Sequence, residues 1–223
     1  MNFKQQFSQL LIAEFNRCEQ AIDVAMQVSR TLSDRKVELG DNQITRHTIA
    51  EVQWYSFTSS VIENSFLVTA YSFFEYAFRK YSEVIVTEHT AYKRKLSDME
   101  KVYQYHSLLA NIIPVSVPVI AEDWSKLAVY REIRNIIVHH NSILPGNTSL
   151  KTRKVLEADG YVEPETTGLI KVQDTMIKEM LNVGLRFLLN LVEVYDTTYP
   201  KGVFSDSSRY TIESSEISVS NSF

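Results

Sequence analysis

The amino-acid sequence predicts an all-α protein, a bundle of about five long helices. Apolar residues recur every three or four positions along most of the chain, which is the spacing that places them on one face of a helix. Neither glycine nor proline occurs between Ile49 and Thr87. Turn-forming residues separate the periodic segments, as at Gly40-Asp41-Asn42 and Pro145-Gly146. With 223 residues, of which 44% are apolar, one elaborated domain can bury a full core.

The first two helices follow directly from this periodicity. Apolar positions from Phe3 to Leu32 predict a long amphipathic helix, and the segment from Ser33 to Arg46 is predicted to be a polar link. The stretch from Ile49 to Thr87 carries a wide apolar stripe and is predicted to be the central core helix. Glu75 is the polar exception there. It either pairs with an arginine of the fourth helix or is a plain exposed glutamate.

Two prolines separate the third and fourth helices. Ser97-Asp98-Met99-Glu100 has the pattern of a capping box, so the third helix is predicted to begin there. Pro114 and Pro118 predict an extended connector. The fourth helix is then predicted to open near Asp123, because acidic residues suit a helix start, and to end near His140.

The region after the fourth helix is predicted to be irregular before a last helix begins. Residues from Gly160 to Gly168 favour a loop or a small β-hairpin, and Leu169-Ile170-Lys171-Val172 is short enough to be a strand. Asp174 is expected to cap the last long helix. Residues 201–223 form a serine-rich tail that is either disordered or an appended strand. We therefore expect a single helical domain over residues 1–200, followed by this tail.

One stretch of the fourth helix gathers cationic, amide and imidazole side chains inside an apolar pattern. Arg131, Asn135 and His139 are four residues apart, so they form one polar stripe. Isoleucine and valine cover much of the remaining surface, which predicts a mostly buried helix whose polar groups need partners or a cleft. Arg134 lies beside the stripe and has a long side chain. A histidine at a helix end with an arginine one turn back suits binding or attack of a phosphate.

The order Arg134-Asn135-Ile136-Ile137-Val138-His139 resembles the Arg-Asn-x-x-x-His signature of the HEPN superfamily, and the resemblance covers roughly residues 50–198. It implies a HEPN-like up-and-down helical bundle acting as a metal-independent endoribonuclease on RNA. It further implies a homodimer in which two motifs face each other across the interface, in a toxin or antiphage defence setting. On this basis Arg134, Asn135 and His139 are the expected catalytic residues.

One position departs from the toxin branch of that superfamily. Members silenced by nucleotidylation carry a tyrosine two residues after the histidine, and this chain has Asn141 there. Control by that nucleotidylating antitoxin is therefore not expected, whereas another antitoxin or regulatory partner is compatible with the sequence.

Cleavage of RNA without a metal needs functions that these residue types supply. Histidine has a pKa near neutrality, so His139 is assigned as the base that removes the 2′-hydroxyl proton. Arg134 is assigned to stabilise the phosphorane, because guanidinium binds two phosphate oxygens at once. Asn135 is the orienting group, and water or the histidine of a second subunit protonates the leaving 5′-oxygen. The expected products carry 2′,3′-cyclic phosphate ends.

Further cationic residues are candidates for binding the substrate. Arg131 lies on the polar stripe, and His140 follows the catalytic histidine but is expected to face away. Lys151, Arg153 and Lys154 lie just beyond the helix, at a position suited to contacting flanking phosphates. The competing interpretation is structural, because charged runs are usually solvated surface and basic residues in a last turn offset the helix dipole.

Composition excludes several other classes of protein. Cys18 is the only cysteine, which excludes an internal disulfide and a multi-cysteine metal site. The net charge of −4 disfavours a protein that coats nucleic acid by bulk electrostatics, but it is compatible with a local basic cleft. The sequence shows no signal-peptide pattern and no apolar run of about eighteen residues, so a cytoplasmic protein without membrane contact is expected.

Two alternatives to a ribonuclease stay open. A HEPN-like module without catalytic activity would keep the fold and bind RNA, a nucleotide or a partner protein. A metal-dependent helical-bundle enzyme is the weaker alternative, because no Glu-x-x-His pair occurs and the adjacent His139 and His140 are poorly placed to chelate one ion. Glycine-rich phosphate loops are absent too, so neither a metal nor a cofactor is expected.

Overall fold

The computed structural model describes residues 3–41, 46–89, 92, 99, 101–158 and 169–200. Within these ranges the chain forms six helices: α1 (Phe3–Asp41), α2 (Arg46–Glu88), α3 (Val102–Leu109), α4 (Pro118–His139), α5 (Leu150–Ala158) and α6 (Asp174–Thr198). The prediction of an all-α protein is confirmed. Four of these helices are long, with 22 residues in α4 and 43 in α2, whereas α3 and α5 have only 8 and 9 residues.

The predicted strand at Leu169-Ile170-Lys171-Val172 is not a regular strand. Its only β-type contact in the described residues is one isolated antiparallel bridge between Ile143 and Leu169. Three predicted features lie outside the described residues. They are the loop or small hairpin between Gly160 and Gly168, the capping box at 97–100 apart from Met99, and the tail at 201–223. Among the helices described, none has both the length and the apolar character needed to cross a membrane.

Several helix boundaries differ from the predicted ones. α3 begins at Val102 with Lys101 as its N-cap, rather than at the predicted capping box. α1 continues through the predicted polar link to Asp41, where the consecutive Arg35 and Lys36, followed by Glu38 and Leu39, are residues that favour helix. α4 begins at Pro118 rather than near Asp123, since proline has a helical φ and its missing N–H would have no partner in a first turn. α6 begins at Asp174 with Gln173 as its N-cap, so Asp174 occupies the first turn rather than the cap.

α1 and α2 form an antiparallel pair. The ring of Phe15 in α1 packs edge-on against Phe73 of α2, with 4.9 Å between the ring centroids. Farther along α1, Ser29 Oγ donates a hydrogen bond of 2.8 Å to Glu63 Oε1 of α2. Residue numbers rise along α1 while those of their partners fall along α2, so the two helices run in opposite directions.

α6 packs against α1, α2 and α4. Its Phe187 is fully buried and meets Phe74 and Phe78 of α2 edge-on, at centroid distances of 6.0 and 5.4 Å. A Cβ at Gly184 would lie 3.0 Å from the Phe74 ring and 3.4 Å from that of Phe15. The absence of a side chain at Gly184 therefore allows α6 to approach the aromatic core this closely.

An ion pair between a buried carboxylate and a half-exposed arginine fixes the start of α4 to α6. Asp123 is only 1% exposed, and Arg186 Nε donates to its Oδ1 and Oδ2 atoms at 3.2 and 3.0 Å. Arg186 Nη2 makes a further hydrogen bond to Oδ1. These hydrogen bonds raise the pKa of Arg186, which keeps the guanidinium charged beside the carboxylate.

An aromatic stack holds α3 beside α4. The ring of His106 lies parallel to Trp124 with 4.0 Å between centroids, and Trp124 packs on Phe187 at 5.5 Å. Burial lowers the pKa of His106 to about 4, so this imidazole is neutral near pH 7 and packs as an aromatic ring. The stack places the first turn of α3 beside the second half of α4, where the two helices border a cleft.

Candidate active site

The polar stripe of α4 lines one open cleft. The cleft has a volume of about 600 Å³, within the range that holds small ligands. Its walls come from α2, the start of α3 and the second half of α4. The lining residues are Glu75, Lys101, Val102, Tyr103, Arg131, Arg134, Asn135 and His139. The structure thus brings all three predicted catalytic residues and Arg131 to the same cavity.

Arg134 has a guanidinium whose hydrogen bonding is incomplete. Nη1 donates to the Oδ1 atom of Asn135 at 3.0 Å, which orients the group along the helix. Nε is fully buried and has no hydrogen-bond partner in the described part of the chain. A buried donor without an acceptor costs about 1–3 kcal/mol.

His139 and His140 differ in their positions at the end of α4. His139 is exposed on the last turn and borders the cleft, in reach of a ligand there. His140 is the C-cap residue, is exposed, and is not among the residues that line the cleft. The structure therefore separates the two imidazoles: His139 lines the cleft and His140 does not.

A hydrogen bond from α2 holds the turn after His140 in place. Asn141 and Ser142 have φ angles of 49° and 64°, in the left-handed region that reverses the chain after a helix. The amide of Asn64 donates to Ser142 Oγ at 2.7 Å, and the backbone N–H of Ile170 donates to Ser142 O at 2.8 Å. Asn64 Oδ1 also accepts from the N–H of Val172 at 3.2 Å. One buried amide thus joins α2, this turn and the segment before α6.

Glu75 fits neither of the two interpretations drawn from the sequence. It is half-buried on the wall of the cleft, and its contacts within the described residues include no ion pair with Arg131 or Arg134. Burial raises the pKa of Glu75, while the positive charges of Arg134 and Arg131 act in the opposite direction. The carboxylate therefore attracts both arginines through space without occupying their donors.

Arg131 is shared between two cavities. Its guanidinium carbon lies 6.0 Å from the centroid of the Tyr103 ring, a cation–π arrangement on the wall of the cleft. Together with Asn135 it also borders a second cavity of about 340 Å³, on the side of α4 that faces α5. Arg131 and Asn135 therefore form a ridge between the two cavities.

The second cavity contains a carboxylate that caps α5. Glu132 accepts hydrogen bonds from the backbone N–H and the hydroxyl of Ser149, at 2.7 and 2.6 Å, and from the hydroxyl of Thr152 at 2.6 Å. Burial opposes ionisation of Glu132, but these hydrogen bonds outweigh it and hold its pKa below the usual range. The carboxylate thereby fastens the start of α5 to α4.

The predicted basic cluster on α5 does not line the cleft that holds His139. Lys151 donates to the backbone oxygen of Ser125 at 3.1 Å and also to its hydroxyl, at the edge of the second cavity. Arg153 donates to the carbonyl of Pro145 at 2.6 Å and so braces the loop before α5. Lys154 is exposed. The contacts of Lys151 and Arg153 are structural, and only Lys151 borders a cavity.

Two cleft residues were not singled out from the sequence. Lys101 and Tyr103 stand at the start of α3, far along the chain from the Arg-His motif. Tyr103 lies off the buried stripe of its helix, which is formed by Val102, Tyr105, Leu108 and Leu109. The signal that could have identified Tyr103 from the sequence is an aromatic residue outside the apolar stripe of its helix. In the described part of the chain, no group of three or more His, Cys, Asp or Glu side chains is arranged to hold a metal ion.

No family model, curated protein or solved structure matches this chain.

Proposed function

We propose that this protein is a HEPN-type endoribonuclease that cleaves RNA without a metal ion. The observation that supports this most is the presence in one cleft of exposed His139 and half-buried Arg134. A phosphodiester supplies the anionic oxygens that such a guanidinium binds and a neighbouring hydroxyl that an imidazole can deprotonate. Asn135 supports the arrangement because its side chain orients the guanidinium.

The reaction needs only proton transfers and one displacement at phosphorus. His139 takes the proton of a ribose 2′-hydroxyl, and the 2′-oxygen forms a bond to the adjacent phosphorus. Arg134 stabilises the added negative charge on the phosphorane oxygens. The bond from phosphorus to the 5′-oxygen then breaks, and that oxygen receives a proton from water or from His139 of a second copy. The products are a 2′,3′-cyclic phosphate and a 5′-hydroxyl.

A homodimer is the form in which we expect this site to act. Val138 and Ile143 flank the end of α4 and are 46% and 51% exposed, which leaves apolar surface next to His139. A second copy seated there would bury this surface and bring two imidazoles near one cavity. A ribonuclease of this kind fits a role as a toxin or antiphage effector.

A binding module without catalytic activity is the second candidate. Within the described residues, one histidine lines the cleft, so a single copy offers a base but no second imidazole to act as the acid. Such a module would use Arg131 and Arg134 to hold RNA, a nucleotide or an acidic partner without cleaving it.

RNA cleavage in EDTA by the wild type, His139→Ala and His140→Ala separates these functions. His140→Ala is the matched control, because it removes the same ring from the same helix end but outside the cleft. We expect His139→Ala to lower the rate roughly 10²- to 10⁴-fold, the usual contribution of a general base. His140→Ala should keep most of the activity, and the wild-type products should carry cyclic phosphate ends.

Equal losses in both variants would mean that the histidines act through the helix dipole or through stability, and the catalytic assignment would be wrong. If the wild type binds RNA but leaves it intact, the binding module is the correct function.

A further inference from the structure

The cleft continues into a second groove between α2 and α3. A cavity of about 240 Å³ is lined by Ser72, Glu75, Tyr76, Arg79, Val102 and Tyr105. It shares Glu75 and Val102 with the cleft that holds His139, so the two cavities adjoin. Its four α2 residues are spaced as on one face of a helix. The combined groove therefore runs from the end of α4 along the face of α2 that carries these four residues.

Two tyrosines with exposed rings border this groove. Tyr103 is 46% exposed on the wall of the cleft that holds His139, and Tyr76 is 53% exposed on the wall of the 240 Å³ cavity between α2 and α3. Single exposed apolar residues are ordinary on protein surfaces. Here each ring instead borders a concave site that also holds an arginine, which is the combination found where nucleic acid bases stack on a protein.

The charges along the groove are mainly positive. Arg79, Arg131, Arg134 and Lys101 line it, and Glu75 is the carboxylate among its lining residues. Arg79 lies with its guanidinium carbon 5.7 Å from the ring of buried Tyr105. The whole chain has a net charge of −4, so this groove is a local basic site on an acidic protein. Such a site attracts a polyanion along one path rather than over the whole surface.

We propose that this groove binds single-stranded RNA next to the scissile phosphate, with one base stacked on Tyr103, another on Tyr76, and a flanking phosphate on Arg79. This inference rests on the proposed function, because it extends the same cleft to its neighbouring nucleotides. A duplex is excluded as substrate since its bases are already stacked and paired, and the rings of Tyr103 and Tyr76 could not reach their faces.

The test measures binding in a His139→Ala background, in which the RNA stays intact. The probe is a labelled, mixed-sequence single-stranded RNA, compared with the same RNA annealed to its complement. Tyr103→Ala and Tyr76→Ala should each weaken binding of the single strand roughly 5- to 150-fold, the range for loss of one stacked base. Tyr103→Phe and Tyr76→Phe are the matched controls, because they keep the ring, and they should bind like the parent. Circular dichroism checks that each variant is folded.

The result also distinguishes the groove from the catalytic proposal. If the wild type cleaves RNA while neither alanine variant loses affinity, the groove assignment is overturned and the ribonuclease stands. If the wild type fails to cleave but the alanine variants lose affinity for the single strand, the groove stands and the ribonuclease is wrong. Equal affinity for single strand and duplex, or tighter binding of an acidic peptide than of RNA, would also overturn the groove assignment.

Discussion

Replacing Arg186 by methionine measures the cost of leaving the buried carboxylate of Asp123 without its partner between α4 and α6. Asp123 is 1% exposed. In the described structure, all hydrogen bonds to its carboxylate are donated by Arg186. Methionine keeps an unbranched apolar stem but donates no hydrogen bond. The carboxylate of Asp123 would then be buried without a partner for its charge.

The expected loss is about 3 kcal/mol in the free energy of unfolding. Removal of one member of a buried ion pair typically costs about 3–5 kcal/mol, because the other charge stays desolvated. The side chain of Arg186 is 50% exposed, so water can enter where the guanidinium was, and the lower end of that range applies. A loss of this size is a large part of the roughly 5–15 kcal/mol that stabilises a typical domain.

Urea denaturation of four proteins tests this reasoning: the wild type, Arg186→Met, Asp123→Leu and the double variant. The double variant removes both charges, so it should be more stable than Arg186→Met alone. A double-mutant cycle then gives the coupling between the two residues. The reasoning fails if Arg186→Met changes the free energy of unfolding by less than about 1 kcal/mol, the size of an exposed ion pair. It also fails if the double variant is no more stable than the single one.

Two further predictions follow from the packing. Glu132→Gln should lower stability by about 1–3 kcal/mol at pH 7, because a neutral amide with one acceptor oxygen replaces a charged carboxylate whose two oxygens accept hydrogen bonds at the start of α5. The pKa of Glu132 is depressed in the folded state, so its contribution is present above the unfolded value of about 4.3 and is lost as the pH falls through the folded pKa. Urea denaturation at pH 7 and at lower pH should show the two proteins converging in acid; a constant difference would contradict the assignment. Gly184→Ala should lower the melting temperature, because the added Cβ would lie 3.0 Å from Phe74, which is itself packed against Phe78 and Phe187. The clash is expected to outweigh the roughly 1 kcal/mol that alanine gains over glycine within a helix; a raised melting temperature would show that Phe74 can move.

Periodicity was sufficient to predict most of the helices and part of the cleft. α2 was expected from about Ile49 to Thr87 and runs from Arg46 to Glu88, because its apolar stripe has no breaker. Residues spaced by four on one helix must share a face, so Arg131, Asn135 and His139 were expected together and line one cavity. Local geometry along a single helix is information that the sequence carries directly.

The periodicity of the sequence could not predict contacts between distant segments of the chain. Lys151 and Arg153 were expected to meet substrate phosphates, but their donors bind Ser125 and the carbonyl of Pro145. A run of basic residues does not reveal which acceptors the fold will bring near it. Tyr103 reaches the cleft because α3 packs against α2 and stacks His106 on Trp124 of α4, and no local pattern encodes that packing.

The buried amide of Asn64 lowers the conformational entropy that the site would lose when a ligand binds. A helix end normally frays, and a side chain on its last turn samples many positions. Here the turn that follows His139 is held at Ser142 by Asn64 and by the N–H of Ile170, so the backbone beneath the imidazole is ordered before any ligand arrives. Fixing one residue of backbone costs roughly 1–2 kcal/mol. Folding has already fixed this backbone, so a ligand in the cleft restricts the rotation of the His139 side chain rather than the backbone of the turn. The site is therefore pre-organised, even though His139 is exposed to solvent.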